Sequence, residues 1–435
     1  MRVQIVGAGV AGLSEAYRLL QMGHEVEVWE ARPEVGGQVI TFPTAGDRIE
    51  AFYHHLFTND RDIVELVEEL GLGGRMTWRE SKLGFFSGGR IYPFVTPGDL
   101  LRFTPLPLPD RVRLGLAGLY LRYQSDWRRY EKLTAREWIR RHAGGKAYDV
   151  VWGPLLRGKF GRYADEVGMA WYWGKVHLRF ASRKGGVSQK ELLGYLLGSF
   201  AVYIEALADR IRDLGGKITC GAPVEGIAQE GGRAVGVRVG GELRRGDAVL
   251  LTVPNSAVLR LAPGLPEEYS AILRSVRYQW ATCLILALDR PLTNTYWCNI
   301  GDRDIPFVAC VEHTNFIEPE RYGGQHLVYL SNYVEDSSPY IQMDEDAIWE
   351  TYLPYVKKLN PAFQPSWVTQ RWLFKDPGGQ PLIGRFYSRS VPPHRTPMPG
   401  LWLANTTQIY PEDRGQNYSI RMGQQVAKLI DTAGP

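Results

Sequence analysis

Residues 1–42 read "MRVQIVGAGVAGLSEAYRLLQMGHEVEVWEARPEVGGQVITF". Val3, Gln4, Ile5 and Val6 make a short β-branched run of the kind that fills a buried central strand of a parallel sheet. Gly7, Gly9 and Gly12 follow in G-x-G-x-x-G spacing. In a dinucleotide fold the first glycine permits the tight turn, the second lets backbone approach a pyrophosphate, and the third lets the helix pack close to the strand. The helix expected over Leu13 to Met22 turns its positive N-terminal end toward that pyrophosphate, past Val10 and Ala11. A second strand, Glu25 to Trp29, leads to Glu30, eighteen residues after Gly12 and close to the ~20 expected of an acid that bonds a ribose hydroxyl. Strand, glycines, helix, strand and acid in register ask for an adenosine-bearing dinucleotide.

The continuation "EARPEVGGQVIT" carries Ala31, Arg32, a second glycine pair at Gly36 and Gly37, then Gln38 and Thr41. These residues resemble the extended FAD fingerprint of the flavin amine oxidase, protoporphyrinogen oxidase and phytoene desaturase superfamily, to which UDP-galactopyranose mutase is related. The resemblance implies FAD. It also implies a discontinuous Rossmann-type FAD-binding domain of the α/β class, with an α+β substrate domain made of a sheet and a helical subdomain.

Two later stretches extend it. "GSFAVYIEALADRIRDLGGKITCGAPVEGI" (198–227) reads as a helix, a Gly-Gly turn and strands. The matching strand of the superfamily lays its backbone on the adenine, which makes Val224 a candidate. "GLWLANTTQIYPEDRGQNYSIRMGQQVAKLI" (400–430) is similar to the closing flavin segment, with a strand, Ala404, and a helix of about Tyr418 to Ile430 after Gly415. Asn405 and Thr406 stand where the superfamily has a glycine and an acid. There an amide and a hydroxyl are available to phosphate oxygens. The helix start, with Tyr418 and Ser419, is placed to stabilise negative charge on the flavin ring.

A chain of 435 residues exceeds the usual single-core limit of about 250 to 300, so two domains are expected. We place the FAD-binding domain at 1–89, 195–265 and 394–435. The helical subdomain is placed at 90–194 and the substrate sheet at 266–393. The 51 basic against 47 acidic residues leave +4, too weak and dispersed for nucleic acid. Cys220, Cys283, Cys298 and Cys310 show no metal or CxxC spacing, and read as reduced thiols of a cytoplasmic protein. The opening strand runs directly into the glycine turn, unlike a secretory signal. The uncharged, largely apolar stretch Leu192 to Ile204 is shorter than the ~20 residues of a spanning helix.

Within 90–194, "RVRLGLAGLYLRY" puts Val112, Leu116, Leu119, Tyr120 and Tyr123 on one helical face flanked by Arg111, Arg113 and Arg122. Packing against neighbouring helices is the expectation, and a peripheral contact with a membrane surface is the second reading. Thr134 and Glu137 form a capping box. In the sheet half, Trp280, Tyr296, Trp297, Trp349, Trp367 and Trp372 are expected mainly in the core, with one or two lining a flavin-proximal pocket.

The stretch "RIEAFYHHLFTND" (48–60) is similar to a superfamily segment that passes the flavin ring, so His54 and His55 are the candidates for proton transfer near neutral pH. Further polar groups, Glu312, His313 and Asn315 in "VEHTNF" and Lys375, Arg385 and Arg389 beyond it, are read mainly as turn and surface residues. The resulting expectation is an FAD-dependent oxidoreductase (oxidase, dehydrogenase or desaturase) passing a hydride from a small, apolar organic substrate to flavin N5. The alternative is a redox-neutral sugar-nucleotide isomerase like the mutase, for which "HHLFTND" speaks.

Overall fold

The computed structural model describes residues 1–181 and 191–434. Five parallel strands form one sheet in the order Lys217–Thr219, Glu25–Trp29, Arg2–Val6, Ala248–Leu251, Leu401–Leu403. Both faces are buried, which is why the strands are apolar runs rather than alternating ones. Val3 and Ile5 point into a core shared with the helices Val10–Gln21, Ala201–Asp213 and Gln416–Ala433. Val6, Val249 and Leu251 point the other way, into a core closed by a three-stranded antiparallel sheet of residues 224–245. The sequence order of strands reverses direction at Arg2–Val6, and a crevice opens beyond the C-terminal ends of strands at such a point.

The Val10–Gln21 and Gln416–Ala433 helices approach closely because Gly423 has no side chain. A Cβ there would lie 2.9 Å from the Ser14 Cβ.

A second, seven-stranded sheet runs Val368–Pro381, Tyr278–Leu288, His326–Val334, Ala309–Glu312, Trp297–Ile300, Leu83–Ser87, Arg90–Pro93. Leu83–Ser87 pairs in parallel with Trp297–Ile300 and forms a hairpin with Arg90–Pro93, so residue 90 falls inside this seven-stranded sheet. Helix Glu345–Leu359 covers one face around Phe307, Leu330 and Tyr352.

Residues 97–181 are helical and enclose a core around Leu121, Trp138, Tyr148, Phe160 and Trp171. The capping box forms as the sequence predicts: the Glu137 amide donates to Thr134 Oγ1 at 3.1 Å and the Thr134 amide to Glu137 Oε2 at 2.8 Å.

The expected packing of the Leu108–Arg122 face is overturned. Leu116 is 61% exposed and Tyr123 73%, with Val112, Leu119 and Tyr120 exposed beside them. The helix carries two apolar stripes. The narrower one, Leu114, Ala117 and Leu121, faces the core, and the broader one faces out. Leu101 and Leu108 enlarge this outer patch. Among the described residues no helix is long and apolar enough to cross a membrane. Cys283, Cys298 and Cys310 are buried, and Cys220 is half-buried.

Candidate active site

The glycine turn is tight for reasons visible atom by atom. Gly7 has φ +106°, and a Cβ at Gly12 would lie 2.1 Å from the Gly7 carbonyl oxygen. Gly9 and Gly36 bridge in parallel, and a Cβ at Gly37 would lie 2.9 Å from the Gly9 Cα. Thus both glycine pairs shape one narrow floor. Glu30 braces it: Oε2 accepts from the Ala8 amide at 2.8 Å and Oε1 from the Arg32 amide at 2.9 Å. Each carboxylate oxygen retains acceptor capacity for a sugar hydroxyl. The Ala222 amide donates to the Glu30 carbonyl and the Gly221 amide to that of Arg32, which brings the strand Val224–Glu230 beside this end of the floor. Ala31 lies between the two braced positions. Arg32 Nη1 donates to the Gly37 carbonyl at 2.9 Å, and Gln38 Nε2 to that of Gly378 at 2.8 Å.

Two helices begin here without side-chain caps, Val10–Gln21 with Gly9 at its start and Gln416–Ala433 with Gly415. Their first amides, including those of Val10, Ala11 and Tyr418, are available to phosphate or ring oxygens, whereas the Ser419 amide, against expectation, is taken by the Gly415 carbonyl at 3.0 Å. Asn59 Oδ1 and Asn417 Nδ2 are buried without a hydrogen-bond partner and belong to residues lining one cavity. An orphan acceptor and an orphan donor are what the imide edge of an isoalloxazine ring needs. The residues present therefore fit FAD, with the glycine floor and Glu30 for its diphosphate and ribose, and Asn59, Asn417 and the second helix start for its ring.

The cavity measures about 840 Å³. It runs from Gln38 and the Phe52–Phe57 stretch, past the start of the Gln416–Ala433 helix, to Leu116 and Leu119 on the exposed helix. Trp297 is the member of the expected aromatic set that lines it. His54 and His55 both line it too, but not as acids at neutral pH. His54 Nδ1 pairs with the Phe52 carbonyl at 2.6 Å and His55 Nδ1 with the Tyr296 hydroxyl at 3.1 Å. Burial lowers their pKa values to about 4 and about 3, with Arg414 adding to the first shift and Arg179 and Lys175 to the second. Both are neutral imidazoles at pH 7, able to orient a substrate or relay a hydrogen bond.

Asn405 also departs from expectation. Its Nδ2 donates to the Val253 carbonyl and to Asn255 Oδ1, both at 2.9 Å, and its Oδ1 accepts from the Thr407 amide and hydroxyl. The amide is committed to protein partners, and its task is to turn the chain after Leu401–Leu403. Thr406 follows in that turn.

Sequence reasoning missed a charged cluster in the cavity wall. Lys159 and Lys175 Nζ donate to Asp413 Oδ2 at 2.6 and 2.8 Å, and Trp171 Nε1 donates to Oδ1 at 3.2 Å. Burial lowers the Lys175 pKa to about 8 against the pull of Asp413. Burial alone would raise that of Asp413, but Lys159, Lys175 and Arg414 outweigh it and hold the carboxylate well below its usual range. The two lysines lie on separate helices, and no sequence spacing announces their meeting. Asp376 and Gly379 of "FKDPGGQP" also line the cavity, whereas Lys375 turns away to the carbonyls of Ile341 and Met343. Glu312 is structural, accepting from the Leu292 and Thr293 amides, and neither Arg385 nor Arg389 lines the cavity.

A glycine floor at the switch point of a parallel sheet, joined to a substrate-sized cavity between a sheet and a helical layer, defines a two-domain flavoprotein. The family pattern described as flavin containing amine oxidoreductase matches residues 10–413, and the chain belongs to that family, with FAD as cofactor. It is 26% identical over 325 residues to the 15-cis-phytoene desaturase of an Oncidium hybrid cultivar, covering 68% of this chain and 54% of that one. To the zeta-carotene desaturase of Zea mays it is 36% identical over 129 residues, 27% of this chain and 23% of the other. The chain spans about half the length of the phytoene desaturases it matches. Among solved structures, reduced UDP-galactopyranose mutase superposes with TM-score 0.77 at 14% identity, covering 100% and 96% of the two chains. Cyclohexylamine oxidase from Brevibacterium oxydans superposes with TM-score 0.73 at 16% identity over 99% of each. Those identities speak for the fold alone.

Proposed function

We propose that the chain is an FAD-dependent oxidoreductase that removes a hydride from an apolar organic substrate. The observation that carries this reading is the cavity itself, whose wall of Leu100, Leu116, Val151, Leu155 and Tyr172 leads from the flavin-side stretch to the outer helix. FAD, when bound, supplies the hydride acceptor at its N5. The chain's own residues exclude water with this wall, hold the substrate against the edge-to-face pair of Tyr53 and Trp297, and orient it with the neutral imidazoles of His54 and His55. The ribose end of the cofactor rests on Glu30, and the backbone of Val224 lies along the adenine.

The exposed stripe of the Leu108–Arg122 helix, rimmed by arginines, supports a peripheral membrane contact at the mouth of the cavity. One observation favours the isomerase reading, the cations around Asp413, which suit a nucleotide phosphate. Anaerobic mixing decides between the two. Bleaching of the yellow flavin by a polyene, amine or porphyrinogen is expected. An intact colour with all three, together with interconversion of sugar nucleotides by dithionite-reduced protein, refutes the proposal.

A further inference from the structure

One charged stretch of the cavity wall is not required by an apolar substrate. Lys159 on the Gly153–Phe160 helix and Lys175 on the Met169–Ala181 helix converge on a single oxygen of Asp413. A lysine ammonium has three N–H donors. Among the described residues each of these donates to Asp413 and to no other group. Arg414 lines the same region, bonded to the neutral partners Gln380 and Tyr333. Three cations thus gather around the one carboxylate of Asp413, while Arg179 and the acids Asp60 and Asp376 line other parts of the same cavity. His54 and His55 are neutral, so they add no charge.

Partly buried cations in a largely apolar wall gain when a further anion joins them. The rest of the wall indicates what carries that anion. Val151, Leu155, Val176 and Leu116 continue from the lysines toward the exposed helix and offer nothing to a sugar or a second phosphate.

We infer that the substrate is an amphipathic carboxylic acid, its carboxylate held by Lys159 and Lys175 and its apolar body extended along the cavity toward the Leu108–Arg122 helix. The inference rests on the proposed reading of this cavity as an apolar substrate site and adds the anionic end. Two charge-assisted hydrogen bonds from the lysines give the carboxylate its advantage over a neutral analogue, and the aliphatic wall gives the body its affinity.

The test uses the FAD-loaded full chain at pH 7, titrated by calorimetry with dodecanoate, dodecanol and UDP. Dodecanoate is expected to bind at least about tenfold more tightly than dodecanol. In the Lys159→Met/Lys175→Met double variant that preference falls below about twofold while dodecanol affinity is retained. Equal binding of acid and alcohol overturns the inference and leaves the apolar reading intact. Failure of both to bind overturns the two together. A preference that survives in the double variant, or UDP outcompeting dodecanoate, also overturns it. Should the double variant fail to fold or to retain FAD, the wild-type ratio of acid to alcohol decides alone.

Discussion

Adding one methyl group at Gly9 and one at Gly12 separates cofactor binding from folding. At Gly12 the new carbon would stand 2.1 Å from the Gly7 carbonyl oxygen and 2.9 Å from Thr252 Oγ1, far inside the ~3.5 Å of favourable contact. The first neighbour is backbone. The second is fixed by hydrogen bonds to the Val6 and Gly7 carbonyls at 2.9 and 3.0 Å, so neither can yield. Gly12→Ala should therefore cost about 3 kcal/mol or more of stability even without FAD, because helix and strand must separate. At Gly9 the backbone is extended, with φ −78° and ψ −179°, and the nearest atom to a new Cβ is the Gly37 Cα at 3.7 Å, an ordinary contact. Gly9→Ala should fold with stability within about 1 kcal/mol of wild type. Its methyl instead occupies the approach of the diphosphate. A steric cost of about 1 to 3 kcal/mol there is roughly a 5- to 150-fold weaker hold on FAD. Denaturant melts of apoprotein give the first quantity, and quenching of flavin fluorescence on titration the second. Gly9→Ala protein with wild-type FAD affinity, or Gly12→Ala apoprotein with wild-type stability, would refute the assignment of the floor.

Three further outcomes are expected. Glu50 is buried, accepts from Tyr195 Oη at 2.8 Å and from the Phe200 amide at 2.7 Å, and has its pKa raised by burial from 4.5 to about 7. A folded pKa above the unfolded one gives stability that is full below pH ~4.5 and lost as pH rises through about 7. Wild type should thus lose about 3 kcal/mol relative to Glu50→Gln between pH 4.5 and 8 in urea melts, and parallel curves contradict this. Flavin reduction by substrate should show no imidazole titration near pH 6.5 in stopped-flow profiles, because His54 and His55 titrate far lower. A limb there that vanishes in His54→Gln or His55→Gln would show otherwise. Leu116→Glu should reduce cosedimentation with phosphatidylglycerol vesicles at least about tenfold, from lost apolar burial and added like charge, with the melting temperature unchanged. Equal sedimentation would argue against the membrane contact.

The cofactor floor was legible in the sequence because it is nearly local. Gly7 to Gly37 lie in and just after one βαβ unit, and the contacts of Gly12 with the Gly7 carbonyl and of Gly37 with the Gly9 Cα fall inside that stretch. The Thr134–Glu137 cap was readable for the same reason. The Leu108–Arg122 helix was misread because periodicity reports an apolar face without saying which of two faces meets the core. Leu114, Ala117 and Leu121 won by lying against Trp138 and Tyr172. The histidines were found by likeness, but their charge depends on burial, which spacing does not encode. The Lys159–Lys175–Asp413 cluster was invisible because three distant segments supply it. Asn405 looked free in sequence, and Asn255 and Val253, about 150 residues away, claim it.

The third glycine contact, Gly423 against Ser14, has a consequence for how the molecule is made. The helix bearing Gly423 and the strand Leu401–Leu403 close a platform begun by Arg2–Val6, so the amino-terminal unit emerges from the ribosome lacking two of its neighbours. Contacts this remote in sequence form late and slowly. Until synthesis has passed Gly423, the nascent chain has the floor for the vitamin-derived coenzyme without its far wall.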